Sequence, residues 1–168
     1  MTPLVSIIMG STSDLPVMEK AAQFLNDMEV PFEINALSAH RTPAEVEAFA
    51  AGAEARGIKV IIAGAGMAAA LPGVIAANTN VPVIGVPIKG MLDGLDALLS
   101  IVQMPPGIPV ATVAVNGALN AGILAVQIIA SGNPALAAKA ASYKANLKQK
   151  IVEANTALAE VKYAFKTN

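Results

Sequence analysis

Two short segments hold most of the residues able to do chemistry. The first is Gly10-Ser11-Thr12-Ser13-Asp14, which follows the apolar run Val5-Ser6-Ile7-Ile8-Met9 and leads into a helical pattern. A glycine for a tight turn, three hydroxyls and the unpaired amides of a helix start form an anion site of the kind that takes phosphate. Gly10, Ser11 and Ser13 are its candidate contacts, although a serine there also serves as an ordinary helix cap. Asp14 is placed to hydrogen-bond sugar hydroxyls or to complement the helix dipole. The second segment is Ser38-Ala39-His40-Arg41-Thr42-Pro43, and His40 is the only histidine of the chain. Imidazole is the side chain suited to giving and taking a proton near neutrality. Thr42 and Glu45 have the spacing of a capping box, with Pro43 at the first helical position, so those three have structural explanations. Arg41 has none. A cation beside a helix start is electrostatically disfavoured unless an anion shares that end, which points to phosphate or carboxylate binding. Ser38 and Ala39 precede it on the same loop and count as further ligand contacts.

A third segment, Gly64-Ala65-Gly66-Met67-Ala68-Ala69, fits the loose pattern G-x-G-x-x-A. It follows the third strand rather than the first, and no acidic residue lies about 20 positions on to hold a ribose, so a nicotinamide site is rejected. The better reading is a small-ligand pocket lined by backbone at Gly64, Ala65 and Gly66 and by Ala70 and Leu71 beyond them. Lys89, Asp93 and Asp96 are the only charges between residues 60 and 138, and the two aspartates read as helix caps. No G-x-x-x-x-G-K-[ST] loop occurs and no carboxylates cluster. With no cysteine and one histidine, disulfides, thiolate chemistry and zinc sites rich in Cys or His are excluded, and a reducing cytosol is the expected compartment.

These segments hang on a regular alternation. Strands are predicted at 5–9, 31–37, 60–63, 81–86 and 109–115. Between and after them lie helices: one carrying Met18, Ala21, Ala22 and Leu25, one carrying Val46, Phe49, Ala50 and Ala53, a short one over 68–77, one over 93–102 and one over 116–130. Alternating short buried strands and helices predict a three-layer αβα sandwich around a parallel sheet, with ligands beyond the strand carboxyl ends. A long amphipathic helix is expected over about 134–166. Tyr143, Leu147, Ile151, Ala154, Leu158, Val161 and Phe165 recur along it at steps of three and four. The whole chain, 1–168, reads as one domain.

Composition bounds the partners. Net charge is −1, so no global field draws the chain to nucleic acid. Residues 1–59 carry four basic and eight acidic groups, and residues 139–168 six basic and two acidic, which reads as a solvated or subunit-contacting helix. Hydrophobic residues make up 55% and charged ones 14%, and residues 60–88 and 97–138 carry no charge at all. Prolines and asparagines interrupt both stretches, so neither supplies the roughly 20 apolar residues of a membrane span. A chain with more apolar surface than one copy can hide is expected to form a tight homo-oligomer.

Taken together, MGSTSD at 9–14, SAHRTP at 38–43, AGAG at 63–66, LPG at 71–73, PVIGVP at 82–87 and GLDALLSIVQMPPGIPVATVAV at 94–115 resemble the class I N5-carboxyaminoimidazole ribonucleotide mutases. These are also called the catalytic subunit of phosphoribosylaminoimidazole carboxylase, the PurE family of purine biosynthesis. The resemblance covers nearly the whole chain in order. It implies a flavodoxin-like fold, an octamer whose C-terminal helix reaches over its neighbours, and no ATP, metal, biotin or other cofactor. It also implies a ribonucleotide 5′-phosphate substrate whose N-carboxylate moves to ring carbon 4. The family's substrate-binding serine, aspartate and arginine fall on Ser11, Asp14 and Arg41, and its acid–base histidine on His40. One departure stands out: where most class I members read GGAAHLPG, this chain reads GMAAALPG at 66–73, with Met67 for a glycine and Ala70 for a histidine. The animal-type carboxylase, which takes free carbon dioxide, carries a lysine-containing version of the second segment, and Arg41-Thr42 departs from it. Alternatives to a mutase are a direct carboxylase of aminoimidazole ribonucleotide, and a flavodoxin-like module that holds a mononucleotide without chemistry.

Overall fold

The computed structural model describes residues 1–168. Five parallel strands form one sheet: β1 (Val5–Met9), β2 (Phe32–Ala36), β3 (Val60–Gly66), β4 (Val83–Ile88) and β5 (Ala111–Thr112), in the order β2-β1-β3-β4-β5. The helices are α1 (Leu15–Asp27), α2 (Pro43–Ala51), α3 (Leu71–Ala77), α4 (Leu95–Val102), α5 (Ala118–Ala130) and α6 (Pro134–Ala159).

Every residue of β1 and β4 is buried, as expected of parallel strands covered on both faces. Alternate side chains serve opposite layers. Val5, Ile7 and Met9 of β1 pack with Met18, Ala21 and Leu25 of α1 and with Ala121 and Ala125 of α5. Ile8 of β1 joins Val46 and Ala50 of α2, Leu71 and Ile75 of α3, and Ala97 and Ile101 of α4. The predicted three-layer sandwich is therefore the observed one, and its strand order is the flavodoxin-like order.

That order places the site. The chain steps outward from β1 to β2, then returns to add β3 on the other side of β1. The carboxyl ends of β2, β1 and β3 flank this reversal, where open α/β sheets leave a crevice.

Several boundaries differ from expectation. Helix α3 begins at Leu71 rather than 68; the chain leaves β3 through a bend at 67–68, where Met67 is left-handed with φ 52°. Strand β5 keeps two residues of the seven expected and pairs only with Ile84 and Gly85; Pro87 has no N–H for a ladder beyond that point. Helix α4 starts at Leu95, with Gly94 (φ 88°) at its cap, and α5 starts at Ala118, after Asn116 at φ 57°. Asp93 is not a cap but an ion-pair partner of Lys89 at 3.0 Å. Helix α6 ends at Ala159, seven residues short of the expectation: Lys166 turns back and donates to the carbonyls of Leu158 and Ala159, so its final turn is closed by a cation, as helix C-termini favour.

Candidate active site

The β1–β2 ladder extends one bond past the strands, Leu37 N–H donating to Met9 O at 3.0 Å. This holds the two following loops side by side. In the first, Ser11 Oγ accepts from Ser13 N–H at 3.3 Å and Ser11 O from Asp14 N–H at 3.1 Å, folding Thr12–Asp14 into one 3₁₀ turn ahead of α1. The plainer role foreseen for Ser11, a cap, is thus real, but the cap belongs to this turn. Asp14 stands at the N-cap position of α1 yet makes no capping bond. Its Oδ1 accepts only from Ser13 Oγ, at 3.4 Å. Its carboxyl is raised above the ordinary aspartate range because burial disfavours the charged form; the Ser13 hydroxyl, the Arg41 charge and the Ser11 backbone work against that.

The second loop departs from the expected local chemistry. The Thr42–Glu45 capping box does not form, and Thr42 makes no side-chain cap to α2. Its hydroxyl instead accepts from Ser38 N–H at 2.9 Å and donates to Ser38 O at 3.1 Å. Arg41, read from sequence as lacking any structural task, has one. A guanidinium N–H donates to Gly10 O at 2.7 Å and Nε–H to Ser38 Oγ at 3.3 Å. The cation therefore ties the first loop to the second and still brings a full positive charge to the place where they meet. His40 lies between these anchored residues, exposed to solvent.

The third loop leaves β3 between Gly66 and Leu71. Met67 is 63% exposed and Ala69 is buried. A left-handed conformation costs a non-glycine residue roughly 1–2 kcal/mol, so Met67 occupies a position suited to the glycine found in most class I mutases.

The three loops close on one cavity of about 490 Å³, within the usual range for sites of small metabolites. Gly10, Ser11, Ser13 and Asp14 line it from the first loop, Ser38, Ala39, His40 and Arg41 from the second, and Ala65, Gly66, Ala70 and Leu71 from the third. All of these were singled out from the sequence. Gly64 was too, but it does not line the cavity: a Cβ there would lie 2.5 Å from Met18 Sδ, so its smallness serves the packing of α1 on β3. Met67 and Ala69 line the cavity and were left out as contacts; their position between Gly66 and Ala70, both singled out, was the available signal.

Hydroxyls, a guanidinium, an exposed imidazole and a protonatable carboxyl thus share one wall system, with alanines and Met67 supplying its apolar part. Fold and site define an α/β protein with a mononucleotide-sized cavity at the point where its strand order reverses. The AIR carboxylase family model matches residues 4–150. The N5-carboxyaminoimidazole ribonucleotide mutase of Pyrococcus abyssi is 59% identical over 148 residues, 88% of this chain and 85% of that protein. The phosphoribosylaminoimidazole carboxylase of Candida glabrata is 63% identical over 132 residues, 78% of this chain but 23% of that protein. The crystal structure of Treponema denticola PurE superposes with a TM-score of 0.84 at 33% identity, covering 93% of this chain and 98% of that one. The chain belongs to the AIR carboxylase family.

Proposed function

We propose that this chain is an N5-carboxyaminoimidazole ribonucleotide mutase of de novo purine biosynthesis, with His40 as its proton carrier. The observation that carries this reading is the position of His40: the only imidazole lies on the rim of a cavity whose other walls are an anion-type loop and Arg41. In this reading the 5′-phosphate lies against the hydroxyls and amides of 10–14 and the Arg41 charge. Asp14 takes the ribose hydroxyls, and the backbone of Ala65, Gly66 and Ala70 holds the base. Ser38, Ala39 and Leu71 complete the walls.

The chemistry then needs one proton. Protonation of the exocyclic nitrogen by His40 breaks its bond to the carboxylate and releases carbon dioxide inside the closed site. Ring carbon 4 attacks the carbon dioxide, forming the new carbon–carbon bond. The proton at that carbon passes back to His40, which restores the aromatic ring and resets the imidazole. The balance is zero: one proton is given and one is recovered. Retention of carbon dioxide depends on keeping water out during the exchange.

The test is carboxylate migration measured with wild type and His40→Asn in parallel. Wild type is expected to turn over and His40→Asn to lose about 10²–10⁴-fold in kcat. A folded wild type that leaves the carboxylate in place overturns the reading. The carboxylase name of the fungal relative keeps a second reading open, a direct carboxylation by carbon dioxide. Labelled substrate separates the two, since a mutase retains the label against unlabelled bicarbonate.

The apolar surplus of the surface and the unpartnered stripe of α6 support a homo-oligomer, for which we take the family's octamer. No helix is long and apolar enough to cross a membrane, and we place the enzyme in the cytoplasm with its substrate.

A further inference from the structure

None of the side-chain hydrogen bonds of the chain involves the imidazole of His40, so nothing bonded to the ring aims it. What holds the ring in place is the loop beneath it. We propose that Thr42 is the positioning residue of that loop: its hydroxyl clasps Ser38–Thr42 into a closed ring of backbone and so fixes where His40 meets the cavity.

The geometry uses a hydroxyl both ways, donating its one proton and accepting on one of its two lone pairs. Both go to a single residue: the lone pair to Ser38 N–H at 2.9 Å and the proton to Ser38 O at 3.1 Å. The same carbonyl also accepts from Thr42 N–H at 2.8 Å and Arg41 N–H at 3.2 Å. Ser38 Oγ accepts from Arg41 N–H at 3.3 Å. The base of the loop is thus cross-tied, and His40 rides in its middle. Threonine hydroxyls commonly choose between capping a helix and bonding local backbone. Here the choice is visible, because α2 starts without a side-chain cap while the hydroxyl is committed to Ser38. The proposal rests on the reading of His40 as proton carrier.

The test compares Thr42→Val, Thr42→Ser and Thr42→Asn with wild type and His40→Asn in the carboxylate-migration assay. It adds the ring resonance of His40, unambiguous because the chain has one histidine. Small displacements of a reacting group lower the catalytic step, so Thr42→Val is expected to reduce kcat by on the order of ten- to a hundred-fold. Substrate KM is expected to stay within about three-fold. Thr42→Ser should keep most of kcat. Thr42→Asn, a good helix cap that lacks a single atom able to donate and accept at that distance, should behave like Thr42→Val. The His40 resonance should shift or broaden in Thr42→Val and Thr42→Asn but not in Thr42→Ser. A wild-type kcat with an unmoved ring resonance in Thr42→Val overturns the clasp, and so does rescue by asparagine equal to that by serine, which would make Thr42 a helix cap. If Thr42→Val does not fold, Thr42→Ala carries the same comparisons. An inert wild type sinks the mutase reading alone, because the ring resonance still reports on the clasp.

Discussion

In the proposed reading, Asp14 is a single side chain that trades stability for a task. It stands where a helix favours a carboxylate, yet it makes no capping bond and its carboxyl is raised above the ordinary range by burial. An acid with a raised folded-state pKa binds its proton more tightly folded than unfolded. Stability therefore falls as pH rises from the unfolded value through the folded one, and the penalty is absent below that window. Asp14→Asn removes it. The expected outcome is a higher Tm than wild type at pH 7 and a gap that closes as melting curves are repeated down through the carboxylate range. A gap independent of pH would show that the carboxyl titration is not its source. Weaker substrate binding should accompany the gain, the usual cost of relieving a functional site. At this scale the sequence was legible where residue type alone carries meaning. A lone imidazole beside an arginine at a strand end reads as a site before any fold is known. Thr42 was misread because T-x-x-E and a threonine that bonds backwards to Ser38 look the same in one dimension; only the loop's φ and ψ angles decide which acceptor the hydroxyl reaches.

Most elements were readable to within a few residues where apolar spacing dictated them, although α6, whose spacing runs on to Phe165, stops at Ala159. They were misjudged where a partner distant in sequence dictated them. Gly64 is the clearest case. Its neighbours in sequence suggested a ligand loop, whereas Met18, 46 positions earlier, is what lies over it. A methyl group there would press into the Met18 thioether, and overpacking a filled core costs typically 1–3 kcal/mol. Gly64→Ala should therefore lower stability by about that amount. Combining it with Met18→Ala should recover part of the loss, a coupling of roughly 1 kcal/mol in a double-mutant cycle of denaturant melts. Additive losses would place the strain elsewhere. Helix α3 begins three residues later than expected, after the bend by which the chain leaves β3. Strand order was beyond a linear reading, because the return of β3 to the free side of β1 is a choice of the whole sheet.

For the whole molecule the outstanding feature is the number of large apolar side chains that a single copy leaves exposed. Helix α6 runs 26 residues with only Leu136 buried. It is held near its start, where Tyr143 meets Phe24 edge-on at 4.9 Å and Lys139 pairs with Glu29. Farther along, Leu147, Ile151 and Leu158 are exposed. These residues cost nothing to polarise in an isolated chain, where exposed substitutions usually stay within about 0.5 kcal/mol. Leu147→Glu with Ile151→Glu should therefore leave the circular dichroism of the fold intact and lower the mass seen by light scattering. A wild type that is already a monomer would refute the assembly. The ladder β2-β1-β3 has a quieter implication. Neighbouring strands are spaced about 4.8 Å apart, and the loops that face each other across the cavity leave β2 and β3, two such steps from one another. The span offered to a ligand is thus set by main-chain hydrogen bonding, which side-chain replacement does not alter. Replacing Met67 or Ala70, which line the cavity, changes the chemistry of its wall while its gauge stays the same.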